Sequence, residues 1–259
     1  MKCAAVIPAR YGSTRLPGKP LLRLGDKPII QHVYERASAL RGMDAVWVAT
    51  DDERIFECVR GFGGNVRMTL PTHQSGSDRI AEVVKKEDYD WILNIQGDEP
   101  FVESSTLQGL LDQALPDGPW PVYTPAAPIR TLEEWSNPSI VKVVVGRDGT
   151  ALYFSRWPLP FIRQAQLTSL QGDLAQAGSR SLEQFPFRRH IGIYLYRRDF
   201  LMRFVSWPAG VLEKAEQLEQ LRILENGHRI RVVDVERATL SIDTPEDYRQ
   251  ACKLFSEQR

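Results

Sequence analysis

Three fixed cations, Arg10, Arg15 and Lys19, fall inside the stretch Val6-Ile-Pro-Ala-Arg-Tyr-Gly-Ser-Thr-Arg-Leu-Pro-Gly-Lys-Pro20. Guanidinium and ammonium donors, joined to the backbone N–H groups of a glycine-bearing loop, suit a row of adjacent phosphates. The loop therefore reads as a polyphosphate cradle, with Pro8 and Ala9 at its mouth. Two familiar glycine loops fail on spacing. A Walker A loop needs four residues between its glycine and the Gly-Lys pair and then Ser or Thr, whereas Gly12 and Gly18 enclose five and Pro20 follows Lys19. Gly61-Phe-Gly63-Gly64 follows a helical pattern and places Val66 where the dinucleotide fingerprint needs a small residue.

Acidic residues supply the complementary chemistry. The apolar run Trp91-Ile-Leu-Asn-Ile95 stops at Gln96-Gly97 and delivers Asp98 and Glu99, and Asp243 stands in Ser241-Ile-Asp-Thr-Pro-Glu-Asp-Tyr248. Magnesium is held by oxygen donors, commonly one or two carboxylates plus substrate phosphates, so Asp98 and Asp243 form a candidate pair for Mg2+. Taken singly, each is also what a turn or a helix start uses. Ser75 and Gly76, in Thr72-His-Gln-Ser-Gly-Ser-Asp-Arg79, open a helix whose free N–H groups could face an anion.

The elements that must position these residues alternate. Cys3–Ile7, Ala45–Thr50, Val66–Thr69 and Trp91–Ile95 read as buried strands, with Pro8 turning the chain off the first. Pro28–Leu40, Asp52–Arg60, the segment after Ser75 and Ser104–Leu115 read as helices. Such a βαβ rhythm gives an α/β, Rossmann-like fold, a mostly parallel sheet flanked by helices with its ligand crevice beyond the strand ends. Asp98 and Asp243 are both expected to follow strands of that sheet. Asn137–Val145 and Ala151–Ser155, separated by Arg147-Asp-Gly149, predict a hairpin in a smaller β-rich accessory region. Arg189–Tyr196 reads as one strand with His190 and Tyr194 on one face, and Leu212–Arg222 as one amphipathic helix with Glu213, Glu216 and Gln220 aligned. Arg163–Phe187 has little periodicity and reads as a long loop. The organisation expected is a single domain over 1–259, with a nucleotide-binding core of about 1–128 and 228–259 and an accessory region of about 129–227.

Thirty-three Lys and Arg balance thirty-three Asp and Glu, which disfavours nucleic acid and anionic membrane as partners. No stretch reaches the roughly 20 apolar residues of a membrane span, and Met1-Lys-Cys3 leads into a strand, so the expected location is cytoplasmic. The three cysteines, Cys3, Cys58 and Cys252, and the four histidines show no metal-ligand spacing.

Ala9-Arg-Tyr-Gly-Ser-Thr-Arg-Leu-Pro-Gly-Lys-Pro20 resembles, over twelve consecutive positions, the loop of sugar nucleotidyltransferases in the form found in the 3-deoxy-manno-octulosonate (Kdo) cytidylyltransferase family. Further blocks follow in family order: the Ser75–Arg79 segment, Gln96-Gly-Asp-Glu-Pro100, Asn137-Pro with Val141-Lys-Val-Val144, Ala151-Leu-Tyr-Phe-Ser-Arg156, the Leu212–Arg222 segment and Asp243-Thr-Pro-Glu-Asp247. The resemblance implies transfer of CMP from CTP to the anomeric hydroxyl of Kdo, with pyrophosphate leaving, for lipopolysaccharide biosynthesis. It implies Arg10, Lys19 and Asp98 as the catalytic group, with Pro8, Ala9, Arg15, Ser75, Gly76, Arg79 and Gln96 completing the nucleotide site. Within that site Arg79 would take the cytosine end. Arg156 is implied for the sugar carboxylate, His190 and Tyr194 for the sugar pocket, Glu216 and Gln220 for its hydroxyls, and a homodimer as the assembly. His190 alone also reads as an ordinary core histidine. Ser77 and Asp78 stand where the family has Thr and Glu, Gln164 where an acid is frequent, and Lys214 where histidine is frequent. The last exchange admits a modified sugar, 8-amino-Kdo, or another acidic sugar, as the alternative substrate. A CTP-binding regulatory protein without chemistry is the rival of another class, and the pairing of Asp98 with Asp243 argues against it.

Overall fold

The uncharged run Cys3–Ala9 belongs at the centre of a parallel sheet, because only there are both faces of a strand covered, and the computed structural model places it there with all seven residues buried. That strand, β1 (Cys3–Ala9), pairs in parallel with Ala45–Thr50 on one side and Trp91–Asn94 on the other. The structure describes residues 1–12, 15–115, 118–161, 187–238 and 240–257. They separate into two compact units, one of Met1–Pro119, Ile193–Ser206 and Thr239–Arg259, the other of Trp120–Gly192 and Trp207–Ala238.

In the first unit, β1 is followed by the two-residue strands β2 (Arg23–Leu24) and β3 (Lys27–Pro28), which form an antiparallel ribbon. Helix α1 (Ile29–Ser38) comes next, burying Ile29, Ile30, Val33 and Ala37, an apolar stripe at helical spacing. Burying each large side chain in that stripe contributes about 1.5–3 kcal/mol. Then come β4 (Ala45–Thr50), α2 (Glu53–Gly61), β5 (Val66–Met68), α3 (Gly76–Val84), β6 (Trp91–Asn94) and α4 (Ser104–Ala114). Asp52 caps α2 by accepting the Arg54 N–H at 3.0 Å, and Ser75 caps α3 through a reciprocal pair with Asp78. Sheet neighbours run β5, β4, β1, β6, all parallel.

The second unit takes β7 (Val122–Pro128), α5 (Leu132–Ser136), β8 (Lys142–Val145), β9 (Ala151–Ser155) and β10 (Arg188–His190). The chain re-enters the first unit with β11 (Tyr194–Arg197), antiparallel to β6, and α6 (Arg198–Phe204). Helices α7 (Val211–Glu216) and α8 (Leu221–Glu225) and strand β12 (Arg231–Asp234) belong to the second unit, and α9 (Pro245–Glu257) to the first. Within the second unit β12 lies parallel to β7, while β7 with β10, β10 with β8 and β8 with β9 are antiparallel.

Several expectations change. The α/β class stands, with a mixed, largely parallel arrangement, but the boundary expected near 128 lies at 119. Residues 228–238 join the second unit because β12 pairs with β7, and 193–206 join the first because β11 pairs with β6. Pro8 does not end β1. It ends only the ladder with β6: the Val6 carbonyl accepts from the Ile95 N–H on that side, the next bond there would need a Pro8 N–H donating to the Ile95 carbonyl, and the pairing stops at Val6 and Asn94. The Arg189–Tyr196 strand is broken between His190 and Tyr194, which therefore lie on two strands and in two units. Residues 137–140 form a turn ahead of β8 rather than strand, with the Ile140 N–H bonded to the Asn137 carbonyl. The 212–222 helix is also broken, at Gln217, whose φ of 55° is left-handed. The loop expected over 163–187 lies, but for Phe187, outside the described residues. Among the described residues no helix is long and apolar enough to cross a membrane.

Candidate functional site

Strand β1 delivers Pro8, Ala9 and Arg10 to the carboxyl ends of the parallel strands of the first unit, where the basic loop begins. Its far end is fixed by the Gly18 N–H, which donates to the Tyr11 carbonyl at 2.9 Å. Gly18 has φ of +67°, and a Cβ there would stand 3.0 Å from the Tyr11 ring, so glycine is demanded twice over. A single 3₁₀ turn over Lys19–Leu21 follows and turns the Lys19 side chain inward.

The Lys19 ammonium donates to Asp98 Oδ2 at 2.5 Å and to Asp243 Oδ1 at 3.0 Å. Arg15 reaches the other Asp243 oxygen at 3.6 Å. Burial opposes the charge on Lys19, but the two carboxylates outweigh it and its pKa is raised, so it stays an ammonium at neutral pH. The carboxylates are also joined through the backbone, because the Ile242 N–H donates to the Asp98 carbonyl at 3.0 Å. Asp247 then accepts the N–H groups of Asp243 and Thr244 at 3.0 and 2.8 Å. Beneath them Leu24, Ile29, Ile242 and Ala251 form a buried cluster with Leu16 and Phe255 packed against it, anchoring both loop and α9. Asp243 therefore reaches the site nine residues beyond β12 through this cluster, rather than directly from a strand end as expected.

Beside Lys19 and Asp98 lies a cleft of about 290 Å³, bounded by Pro8, Ala9, Arg10, Gly76 and Gln96 among the expected residues. Gly12, Pro20 and Gly97 line it too, and sequence reasoning had not assigned them. Gly97 had a readable signal, a glycine at a strand end between Gln96 and Asp98. A Cβ there would approach the Pro8 carbonyl to 3.1 Å, so its smallness lets β1 and the Asp98 turn meet. Arg10 is exposed and donates to the His73 carbonyl at 3.1 Å.

Two expected nucleotide-site residues are otherwise engaged. Ser75 exchanges hydrogen bonds with Asp78 in the α3 cap. Arg79 has no exposed surface; its guanidinium binds Asp51 at 2.7 Å and the Thr69 hydroxyl. Arg79 thus ties α3 to the ends of β4 and β5 and does not line the cleft.

In the second unit the Arg156 N–H and Nε donate to the Glu216 carboxylate at 2.9 Å and the Glu216 carbonyl at 3.0 Å. The Ser155 hydroxyl donates to the other Glu216 oxygen at 2.5 Å. The break at Gln217 leaves Glu216 with these partners while Gln220 turns inward beside Leu218 and Leu221. Gln220 is only 4% exposed, and among the described residues its Nε2 is a buried donor without a hydrogen-bond partner. His190 Nε2 meets the Thr124 hydroxyl at 2.8 Å, and desolvation holds its pKa down to about 3, so the ring is neutral. Tyr194, in the first unit, is buried and stacked on Tyr196 at 5.5 Å.

Magnesium suits the donor set. Two carboxylates converge on one cation position, the number magnesium takes from a protein when phosphates supply the remainder. Among the described residues no group of three or more His, Cys, Asp or Glu is gathered to hold a metal unaided.

Residues 4–230 match the family described as Cytidylyltransferase. The chain is 47% identical over 247 residues to the 3-deoxy-manno-octulosonate cytidylyltransferase of Syntrophotalea carbinolica, covering 95% of this chain and 96% of that one. It is 46% identical over 256 residues to the enzyme of the same name from Geobacter metallireducens, covering 99% and 98%. A solved structure of a CMP:2-keto-3-deoxy-manno-octonic acid synthetase complexed with CTP superposes over all of both chains with TM-score 0.89 and 43% identity.

Proposed function

This chain belongs to the 3-deoxy-manno-octulosonate cytidylyltransferases, and from that premise we propose that it transfers CMP from CTP to the anomeric hydroxyl of Kdo. The anomeric oxygen bonds to the α-phosphorus, the α–β phosphoanhydride breaks, pyrophosphate leaves, and the hydroxyl proton is lost. Chemistry of this kind asks for positioning and charge neutralisation more than for a covalent nucleophile. The observation that carries the reading is the Lys19 ammonium held between Asp98 and Asp243 beside a cleft walled by Pro8, Ala9 and Arg10. Lys19, Arg10 and Arg15 are assigned the triphosphate charge, with Gly76 and Gln96 on the nucleotide wall. Ser75 and Arg79 are assigned the support of that wall through α3. Asp98 and Asp243 would hold magnesium, which when bound supplies positive charge to the phosphates.

Arg156 is assigned the sugar carboxylate, since a planar guanidinium matches it bidentately. Gln220, with its unpartnered Nε2, is assigned a sugar hydroxyl. Glu216 holds Arg156, and neutral His190 offers a hydrogen bond without charge. Tyr194, buried in β11, is assigned a packing role. We place the reaction in the cytoplasm and assign a homodimer, for which the 70–78% exposed Trp157, Phe161 and Val211 of the second unit supply apolar surface.

A pyrophosphate-release assay with CTP, Mg2+ and Kdo, run beside 8-amino-Kdo and a sialic acid, tests the reading. Turnover is expected with Kdo at the highest kcat/KM. CTP binding without pyrophosphate release from any of the three would replace the enzyme reading with the regulatory one. Sedimentation reporting only protomers would remove the dimer.

A further inference from the structure

Lys142 opens β8 and has no exposed surface. Its ammonium donates to three backbone carbonyls: Asn137 at 2.8 Å, Ile140 at 2.7 Å and Arg156 at 2.7 Å. All three of its donors are thereby used. A methionine would fill a similar volume without the cost of burying a charge, so the ammonium's contribution lies in what it ties together. Two of its acceptors belong to the turn 137–140, and that turn also contains the Pro138 carbonyl, to which an Arg156 terminal nitrogen donates at 3.2 Å. The third is Arg156's own carbonyl. Lys142 thus holds both the backbone from which Arg156 projects and the turn on which its guanidinium rests.

The geometry points to Lys142 as a positioning residue for the acidic-sugar substrate, fixing the aim of the Arg156 guanidinium without touching the substrate itself. This rests on the reading of Arg156 as the carboxylate partner. Burial first, and then the positive charge of Arg156, push the Lys142 pKa down to about 8, with Glu216 opposing. Arg189, registered opposite Lys142 on β10, keeps to Glu134 at 3.2 Å. Above pH 8 the ammonium becomes an amine with two donors for three carbonyls, and the tie slackens. Stability runs the other way. The folded pKa lies below the unfolded value of 10.5, so between pH 8 and 10.5 the unfolded chain keeps a proton the folded one has lost, and this group's contribution to stability rises with pH. Weaker sugar binding in a window where that contribution increases separates aiming from unfolding.

Steady-state kinetics on both sides of pH 8, for the wild type, Lys142→Met, Arg156→Lys and the double variant, test this. The wild-type KM for Kdo is expected to turn upward above pH 8 while the KM for CTP stays level. Lys142→Met should raise the Kdo KM about tenfold, the scale of one lost hydrogen bond to a charged group, without the pH break. The double variant should be no worse than Arg156→Lys. Equal shifts in both KM values, or a break that persists in Lys142→Met, would overturn the inference. An unchanged Kdo KM in Arg156→Lys removes the reading of Arg156 and this inference with it; a raised one beside a normal Lys142→Met removes the inference alone. Should Lys142→Met fail to fold, lysine NMR of the wild type decides: Lys142 titrating near pH 8 with a level Kdo KM overturns the inference, and a KM that follows the titration supports it.

Discussion

Replacing Lys19 by methionine removes one ammonium from between two carboxylates, and its consequences can be scaled from the site. Two charge-assisted hydrogen bonds are lost, each worth roughly 1.5–3 kcal/mol when well shielded. The Asp98 side chain is 25% exposed and that of Asp243 is 42% exposed, so water screens the second bond toward the about 0–1 kcal/mol of a surface pair. Relief of the ammonium's own burial offsets part of the remainder, leaving a net destabilisation of ~2 kcal/mol. At roughly 2–4 °C per kcal/mol for a chain of this size, Tm should fall by about 4–8 °C. The freed carboxylates should make the variant gain more Tm from added Mg2+ than the wild type does. Turnover suffers separately: one preorganised cation lost beside a developing pyrophosphate should cost roughly 10²–10³ in kcat/KM for CTP. Scanning calorimetry with and without Mg2+, paired with pyrophosphate release, measures both. A variant with unchanged Tm and kcat/KM within threefold of the wild type would refute the reasoning.

Asp98→Asn and Asp243→Asn should each lower kcat at least a hundredfold at saturating Mg2+, and the double variant should be scarcely worse than either single one, since the two act as a unit; additive, near-neutral effects would reject the shared site. Gly97→Ala should slow turnover and cost about 1–3 kcal/mol by forcing apart β1 and the Asp98 turn, with urea unfolding and initial rates as the readouts. Burial pushes the Cys3 thiol up to about 12, so at pH 8 a thiol reagent should leave Cys3 unmodified until urea unfolds the chain. Rapid labelling of Cys3 in the native protein would contradict that burial.

What could be read from the residues followed the range over which each signal acts. Asp52 and Ser75 were legible as helix caps because the partners Arg54 and Asp78 lie two and three residues away. The β1 run and the α1 stripe were legible because periodicity is local. Arg79 was not: its destination depends on Asp51 and Thr69, which the fold brings from two other strand ends. The 212–222 pattern reads as one helix because nothing local announces Gln217 as left-handed, and the bonds from Ser155 and Arg156 that engage Glu216 come from about sixty positions away. Asp243 shows the limit most clearly. Its residue type suggested a metal ligand and the resemblance supported that role, yet its place beside Asp98 comes from a backbone bond at Ile242 and from apolar contacts among Leu24, Ile29 and Ala251. Side chains that do chemistry are recognisable by type, but the contacts that aim them span long stretches of chain and are written in ordinary leucines and isoleucines, which carry no chemical mark of their task.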